Sequence, residues 1–463
     1  MVLYIDNLRP TAAVVSEFQP ACRKPPYAST SRRTIVSIKA PSTFRLPKRV
    51  YVAGVGVGLI ALTLAGCSAP TGESSGSSAG SEISLGVLAP LTGTSAADGL
   101  LMVEGAKLAA TEINKAGGVN GHKVKVVAQD TKDQSAAAVT TAVSALTSDP
   151  NVVGVFTAYA STTNFEINLL AKAHMPYIIG GNTAQTAGIV SPNPSKFPTI
   201  WSVAPTYAGY NTDFPARLKE WDADGTFPLR NKKAFIISSD NPFSNGIADG
   251  MKSTLVKDGW TVTGPDTQPF GSIDDWTTEI SKIHAVDPSV VINLDYQTAN
   301  AASFMTQFSQ NPTKSMVFLQ YAPTVPQFEE LAGDAANGVI SNLPFSPLPK
   351  TPAGKHAIDA FGAAYKTSPG LNGVTTYVEV KLWEAAAKKV GDPTKTLKVG
   401  KEIGKLKMTT AFGLVHFDQK THLAVAGGGG LSMTYYQVQD KKEVLIYPKS
   451  AAEGKFETPS WIK

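Results

Sequence analysis

From Glu82 onward, short apolar runs alternate with segments whose apolar residues recur at helical spacing. Ile83-Ser84-Leu85-Gly86-Val87-Leu88 reads as a buried strand closed by Pro90 and Gly93. Val103, Ala106, Ala110 and Ile113 then repeat with a helical period until Gly117-Gly118 stops them. The same alternation predicts strands at Lys123–Ala128, Val152–Phe156 and Tyr177–Ile179, with helices at Ala136–Leu146 and about 163–173 between them. A second series begins with a helix near 206–221, the strand Ala234–Ile237, a helix after Asn245 and a short strand near 260–262. It continues through helix Trp276–His284, strand Val290–Leu294, helix Ala299–Ser309 and strand Met316–Leu319. Strand–helix alternation of this kind implies right-handed crossovers and parallel sheets. Helices over about 356–365 and 376–389 belong to neither series, which predicts a chain that returns to its first half. The expected fold class is therefore α/β, two Rossmann-like lobes with parallel central sheets. A cleft between them would take ligands at the carboxyl ends of the strands.

The first 81 residues read differently. Lys48-Arg49 precede an uncharged apolar run, Val50 to Gly66, that is short for a membrane span and ends in small residues. A charged segment, an apolar segment and a small-residue exit make a secretory signal. The exit, Leu64-Ala65-Gly66-Cys67, resembles a bacterial lipobox, and that resemblance implies a diacylglycerol-modified Cys67 as the first residue of the mature chain. The alternative is a single-pass anchor that stays attached; both place residues 68–463 outside the cytoplasm. Residues 1–47 are long for a signal, so either the charged segment is extended or translation starts downstream. Ser68 to Ser81 is Ser/Gly-rich and reads as a flexible tether. Its Gly76-Ser77-Ser78-Ala79-Gly80 matches the GxSxG pattern of hydrolases, but no strand precedes it, so no nucleophile elbow is expected there.

Charge and cysteine content then remove whole classes. The 463 residues carry 42 Lys/Arg and 37 Asp/Glu, but residues 1–66 hold 9 against 2 of these, leaving 33 against 35. The body is near neutral, and its charge suggests no nucleic-acid partner. The two cysteines, Cys22 and Cys67, leave no disulfide framework and no cysteine nucleophile beyond position 67. His416 and His422 stand six apart without a Cys or Glu cluster and read as a chance pair, so no metal is expected. The loop Gly427–Gly430 lacks the Lys-Ser/Thr of a phosphate cradle, and no cofactor is expected. Asp274-Asp275 reads as charge at a helix start.

With these elements in place, the body resembles the bacterial ABC-importer solute-binding proteins of the branched-chain (leucine/isoleucine/valine) amino-acid class. The resemblance is carried by GVLAPLTG at Gly86–Gly93 and EGAKLAATEINKAGGVNGHKVKVVAQD at Glu104–Asp130. Looser matches are NPFSNGIADGMKSTL at Asn241–Leu255 and the strand ending in Asp295-Tyr296. It covers roughly residues 82–440 and implies a type I periplasmic-binding fold with a three-crossing hinge, the crossings near Val203, Phe345 and Gly413. The expected domains are a signal region (1–66), a tether (67–81), lobe one (82–203 plus 346–413) and lobe two (204–345 plus 414–463). The resemblance further implies a monomeric, non-enzymatic receptor, lipid-anchored outside the cell membrane. It would close on a small solute and dock on an ABC permease with its ATPase. A ligand can drive that closure only by binding the closed state better than the open one.

The family's carboxylate site falls on Tyr159, Ser161 and Thr162 after the third strand and on Asn182 and Thr183 after the fourth. A helix N-terminus favours an anion there; Ser161 and Thr162 would otherwise cap a helix. Phe243, Tyr296 and Tyr321 match or neighbour cleft positions of the second lobe, with core packing the alternative for Phe243. The family's acidic partner for the ligand ammonium is missing: the stretch after Val317–Leu319 is Gln320-Tyr321-Ala322-Pro323. Burying an unpaired ammonium costs several kcal/mol. Either Asp98 or Asp295 supplies the charge, or the ligand carries no ammonium. An amide, a urea-like solute or an aromatic acid then stands beside an amino acid as a candidate. A ligand sensor of the same fold is the alternative function; a secreted hydrolase lacks a nucleophile.

Overall fold

In a computed structural model, the structure describes residues 80–427, 431–449 and 451–463. The signal, Cys67 and nearly all of the tether lie outside the described residues. The first sheet is built from β1 (Gly80–Ala89), β2 (His122–Asp130), β3 (Val152–Thr157), β4 (Tyr177–Ile179) and β5 (Ile200–Ser202). Its order is β2-β1-β3-β4-β5, all parallel. Strand β1 starts at Gly80, so the last two tether residues are already in the sheet. Helices α1 (Ala96–Lys115), α2 (Ala136–Ser148), α3 (Glu166–Lys172) and α4 (Thr183–Val190) connect these strands.

The second sheet contains β6 (Lys233–Ser239), β7 (Thr261–Gln268), β8 (Val290–Asn293), β9 (Met316–Leu319) and β10 (Ile340–Leu343). Its helices are α5 (Ala208–Ala223), α6 (Pro242–Lys257), α7 (Thr277–Val286), α8 (Thr298–Phe308) and the short α9 (Pro326–Ala332). Every residue of β8 and β9 is buried, as parallel strands covered on both faces require. The helix starts are encoded locally. Asn241 Oδ1 accepts from the Ser244 amide at 2.9 Å with Pro242 at the first helical position, and Thr351 with Pro352 does the same for α10 (Pro352–Tyr365).

After β10 the chain returns to the first sheet as α10, α11 (Gly370–Val390), α12 (Thr396–Ile403) and the hairpin of β11 (Lys407–Thr410) with β12 (Gly413–His416). Helix α11 packs along α1. The helices meet at Gly105, where an added Cβ would stand 1.9 Å from the Gly373 carbonyl oxygen. Only glycine permits that approach. Strands β13 (Thr434–Gln439) and β14 (Lys442–Tyr447) then join the second sheet antiparallel, giving the order β14-β13-β10-β9-β8-β6-β7. The tail pins that sheet from outside: Trp461 Nε1 donates to the Ser315 carbonyl at 2.9 Å and Gln437 Nε2 to the Glu457 carbonyl at 2.7 Å.

The chain thus passes between the sheets three times, after β5, after β10 and between β12 and β13. The first passage leaves β5 at Val203, the second leaves β10 at Pro344-Phe345, and the third leaves β12 after His416, with Gly413 opening that strand. His422 serves this passage: its ring stacks on Trp201 with centroids 4.0 Å apart, and Nδ1 bonds the Ile200 carbonyl at 3.0 Å.

Gly105→Val should destabilise the protein by about 2 kcal/mol or more through overpacking at the α1–α11 contact. Gly188→Ala, in α4 with open space around it, should be neutral or stabilising by about 0.5–1 kcal/mol. Thermal unfolding of the two variants checks both signs.

Candidate functional site

The loops after β3, β4, β6, β8, β9 and β10 all end at one cavity between the two sheets, with about 550 Å3 of space not filled by protein atoms, part of it open to solvent. The first lobe contributes Ala158, Tyr159, Gly180, Gly181 and Asn182, and α11 adds Leu371, Asn372 and Thr375. The second lobe contributes Tyr207 and Tyr210 around the start of α5, Phe243 from α6, and Tyr296, Gln320 and Tyr321. Pro344 and Phe345 of the second passage close the back. Gly180 is required by the fit, since a Cβ there would meet Thr375 Cγ2 at 2.3 Å.

Its electrostatic centre lies just behind the wall. Asp98, in the first turn of α1, is 2% exposed. Its Oδ2 accepts from the Tyr159 hydroxyl, and its Oδ1 from the Tyr321 hydroxyl across the cleft at 3.0 Å. Asn372 Nδ2 donates to the Tyr321 oxygen at 2.5 Å. Burial raises the Asp98 pKa from 3.8 to about 6, against the pull of the hydrogen bonds from Tyr159, Tyr321 and Asn372. Burial and the Asp98 charge hold both phenols well above their ordinary range, so they remain donors to the carboxylate. Among the described residues, no Lys, Arg or His forms an ion pair with Asp98.

Tyr321 reaches Asp98 because the backbone turns sharply there. Its φ of +70° and ψ of −51°, with the Ala322 amide bonded to the Gln320 carbonyl at 2.8 Å, define a γ-turn, a strained conformation for a bulky residue. Beside it, Gln320 is fully buried, and both atoms of its side-chain amide lack a well-formed hydrogen bond. The amide faces the Tyr210 hydroxyl, whose pKa burial holds well above its ordinary value while the amide pulls it down. Aromatic rings fill the second-lobe wall. Phe243 packs edge-on against Tyr207, Tyr210 and Tyr296 at centroid distances of 5.4, 6.4 and 5.7 Å. Two more hydrogen bonds cross the cleft: Gln297 Nε2 to Thr94 Oγ1 at 2.6 Å, and the Gln134 amide with the Tyr296 hydroxyl at 3.5 Å.

Of the residues named from sequence, Tyr159, Asn182, Phe243, Tyr296 and Tyr321 line the cavity, and Asp98 bonds two of them from behind. Ser161, Thr162 and Thr183 do not line it. Ser161 Oγ donates to Glu166 Oε2 at 2.5 Å, and Thr183 Oγ1 accepts from the Tyr207 amide at 3.0 Å. Neither Ser161 nor Thr162 caps α3, whose flanking residue is Phe165. Asp295 is spent locally on the Gln297 amide and Asn300 Nδ2, and does not reach the cavity. Sequence reasoning missed Tyr207, Tyr210 and Asn372, and it weighed Gln320 only as a missing acid.

Two α/β lobes, three passages and an aromatic cavity at the strand ends define a hinged solute-binding protein of the type I periplasmic-binding fold. Comparison with known proteins gives the family. The model described as Periplasmic binding protein matches residues 82–443, and the chain belongs to that extracytoplasmic family. It is 24% identical to Leu/Ile/Val-binding protein homolog 3 of Brucella melitensis, over 75% of this chain and 90% of that protein. It is also 24% identical to homolog 7 of Brucella abortus, over 87% and 99%. Among solved structures, it is similar to a putative branched-chain amino acid ABC transporter protein from Silicibacter pomeroyi. That match has 26% identity and a TM-score of 0.72, and covers 82% of this chain and all of that one. An R. palustris solute binding protein in complex with benzoate shares the fold at 17% identity and a TM-score of 0.65, covering 81% of this chain and 98% of that one.

The raised pKa values of Asp98 and Asp295, both about 6 because of burial, set a pH dependence. The folded chain holds protons between about pH 4 and 6 that the unfolded chain has released, so stability falls as pH rises through that window. Asp98 should account for about 1 kcal/mol of lost stability between pH 5 and pH 8. Melting curves of the unliganded protein and of Asp98→Asn should show a smaller pH 5-to-8 loss in the variant.

Proposed function

We propose that this chain is the receptor of an ABC importer that captures an amino acid or a related small polar solute in the cavity between Tyr159 and Tyr321. The observation that carries this reading is the convergence of six strand-end loops from two sheets on one aromatic cavity spanned by side-chain hydrogen bonds. Those bonds can form only when the lobes are together, so a solute that fills the space between the rings stabilises the closed form over the open one. The Leu/Ile/Val-binding and ABC-transporter relatives support the same reading. The receptor binds and releases its solute unchanged. It acts as a monomer and passes the solute to a permease and its ATPase. Cys67 carries the lipid that moors it to the outer face of the cell membrane. One acyl chain gives only marginal anchoring, so the full diacylglycerol modification fits a stable attachment.

A thermal-shift panel of amino acids, amides, ureas and aromatic acids should contain at least one solute that raises the melting point, through mass action on the folded state. No shift from any of them would remove the receptor reading. Tyr296→Ala should weaken that solute by tenfold or more, about 1.4 kcal/mol; calorimetry on the variant reads it. Cys67→Ala should move the protein from the membrane fraction to the soluble fraction, and retention on membranes would count against lipidation.

A further inference from the structure

The near-neutral total charge of the body hides an uneven distribution. Residues 388–407 hold seven Lys against Asp392 and Glu402, whereas the rest of the chain from Cys67 holds 26 basic against 33 acidic residues. The run covers the last turn of α11, all of α12 and the start of β11. A surface of one sign attracts partners of the other.

The fold gathers these side chains on one face. Val399, Gly400 and Ile403 turn α12 inward, and Trp201 Nε1 of β5 donates to the Gly400 carbonyl at 2.8 Å. Helical period then sets Lys398 and Lys401 outward, with Lys395 and Lys405 of the flanking turns beside them, and all four are exposed. Lys389 joins them from α11: its Nζ meets Glu402 Oε1 at 2.5 Å, while Lys405 Nζ meets Oε2 of the same carboxylate at 3.2 Å. Glu384 takes up Lys381 and Lys388, each at 2.6 Å. Among the described residues, Lys398 and Lys401 form no ion pair. Exposed pairs hold their lysines weakly, so a partner carrying many negative charges can compete for the rest.

The chain enters the fold at the same place. Gly80 opens β1 opposite His122, whose Nδ1 lies 2.8 Å from the Ser81 carbonyl oxygen. Asn120, two residues earlier, donates from Nδ2 to the Ala387 carbonyl in the last turn of α11 at 3.1 Å. The start of β1 and the start of the lysine run are therefore neighbours. They lie at the end of α11 away from the cavity, which that helix meets with Leu371, Asn372 and Thr375.

Resting on the lipid anchorage at Cys67 proposed above, we propose that the lysine run of α11 and α12 is a docking surface for the anionic headgroups of the membrane that holds the anchor. Twelve residues separate Cys67 from Gly80, and a fully extended chain of that length reaches about 45 Å at most. A lipid on Cys67 thus keeps the start of β1, and the lysines beside it, at high effective concentration near the bilayer. Lysines are drawn to an anionic lipid surface over about a Debye length, ~8 Å at physiological ionic strength. Contact there turns the far end of the first lobe toward the headgroups and the cavity end of α11 away from them.

The test is co-sedimentation of residues 68–463, which carry every strand and helix described above and no lipid, with two kinds of vesicle. One is pure phosphatidylcholine, the other equal parts phosphatidylglycerol and phosphatidylcholine. Binding to the second should be tenfold or more tighter and should be lost at high salt. Lys398→Glu combined with Lys401→Glu should weaken it at least fivefold. Lys232→Glu combined with Lys257→Glu, at exposed positions of the second lobe, should leave it within twofold. Melting curves verify that both variants are folded. The proposal is overturned if the two vesicles bind alike, if neither binds, if the α12 variant stays within twofold of the parent, or if the second-lobe variant loses as much. It also falls if soluble polyphosphate binds as tightly as the vesicles at equal phosphate concentration, since the surface would then serve a soluble polyanion. The tested chain lacks Cys67, so none of these results decides lipidation, which the Cys67→Ala fractionation reads separately.

Discussion

The Asp98 carboxylate, held by a phenol from each lobe, is the interaction on which the site depends. It lies in the first turn of a twenty-residue helix, where the free amides and the helix dipole stabilise an anion. The Tyr159 and Tyr321 hydroxyls bond its two oxygens, and Asn372 adds to their effect. Those contacts lower the cost of desolvation without cancelling it, which is why its pKa stays near 6. Removing one partner of such a buried charge is costly. The carboxylate therefore joins the two lobes through its pair of oxygens.

The strained turn at Tyr321 belongs to the same device. A bulky residue at φ +70° persists only where its surroundings determine it. Here the determinants are the Asp98 and Asn372 bonds of the tyrosine oxygen, both made to the first lobe. Phe243, packed against three other second-lobe rings, supplies a wall against which this turn can be presented.

The strand–helix alternation of the body was legible in the sequence because parallel strands buried on both faces are continuous apolar runs, as in Val290–Asn293. The late helices were legible as a return to the first lobe. Strands β13 and β14 were not, since their hairpin turns on Asp440-Lys441, both at positive φ, rather than on the Asn-Gly or Asp-Gly pair that announces such a turn. For the site, sequence marked positions directly after strands, where Tyr159, Asn182 and Tyr296 stand. It did not find Tyr207, Tyr210 or Asn372, because no periodicity says which helix start will face the cleft. Nor could it separate Ser161 from a ligand contact; only the fold brings Glu166 round to take its hydroxyl.

Each lobe is assembled from distant parts of the chain. The first sheet is covered by α11, more than two hundred residues after β3, and the second is finished by β13, β14 and the tail contacts of Glu457 with Gln437 and Trp461 with Ser315. Neither half can complete its core until almost the whole polypeptide is present. Such long-range closure slows folding. In an extracytoplasmic binding protein built this way, neither lobe offers a finished face to the cleft until the last strands have docked.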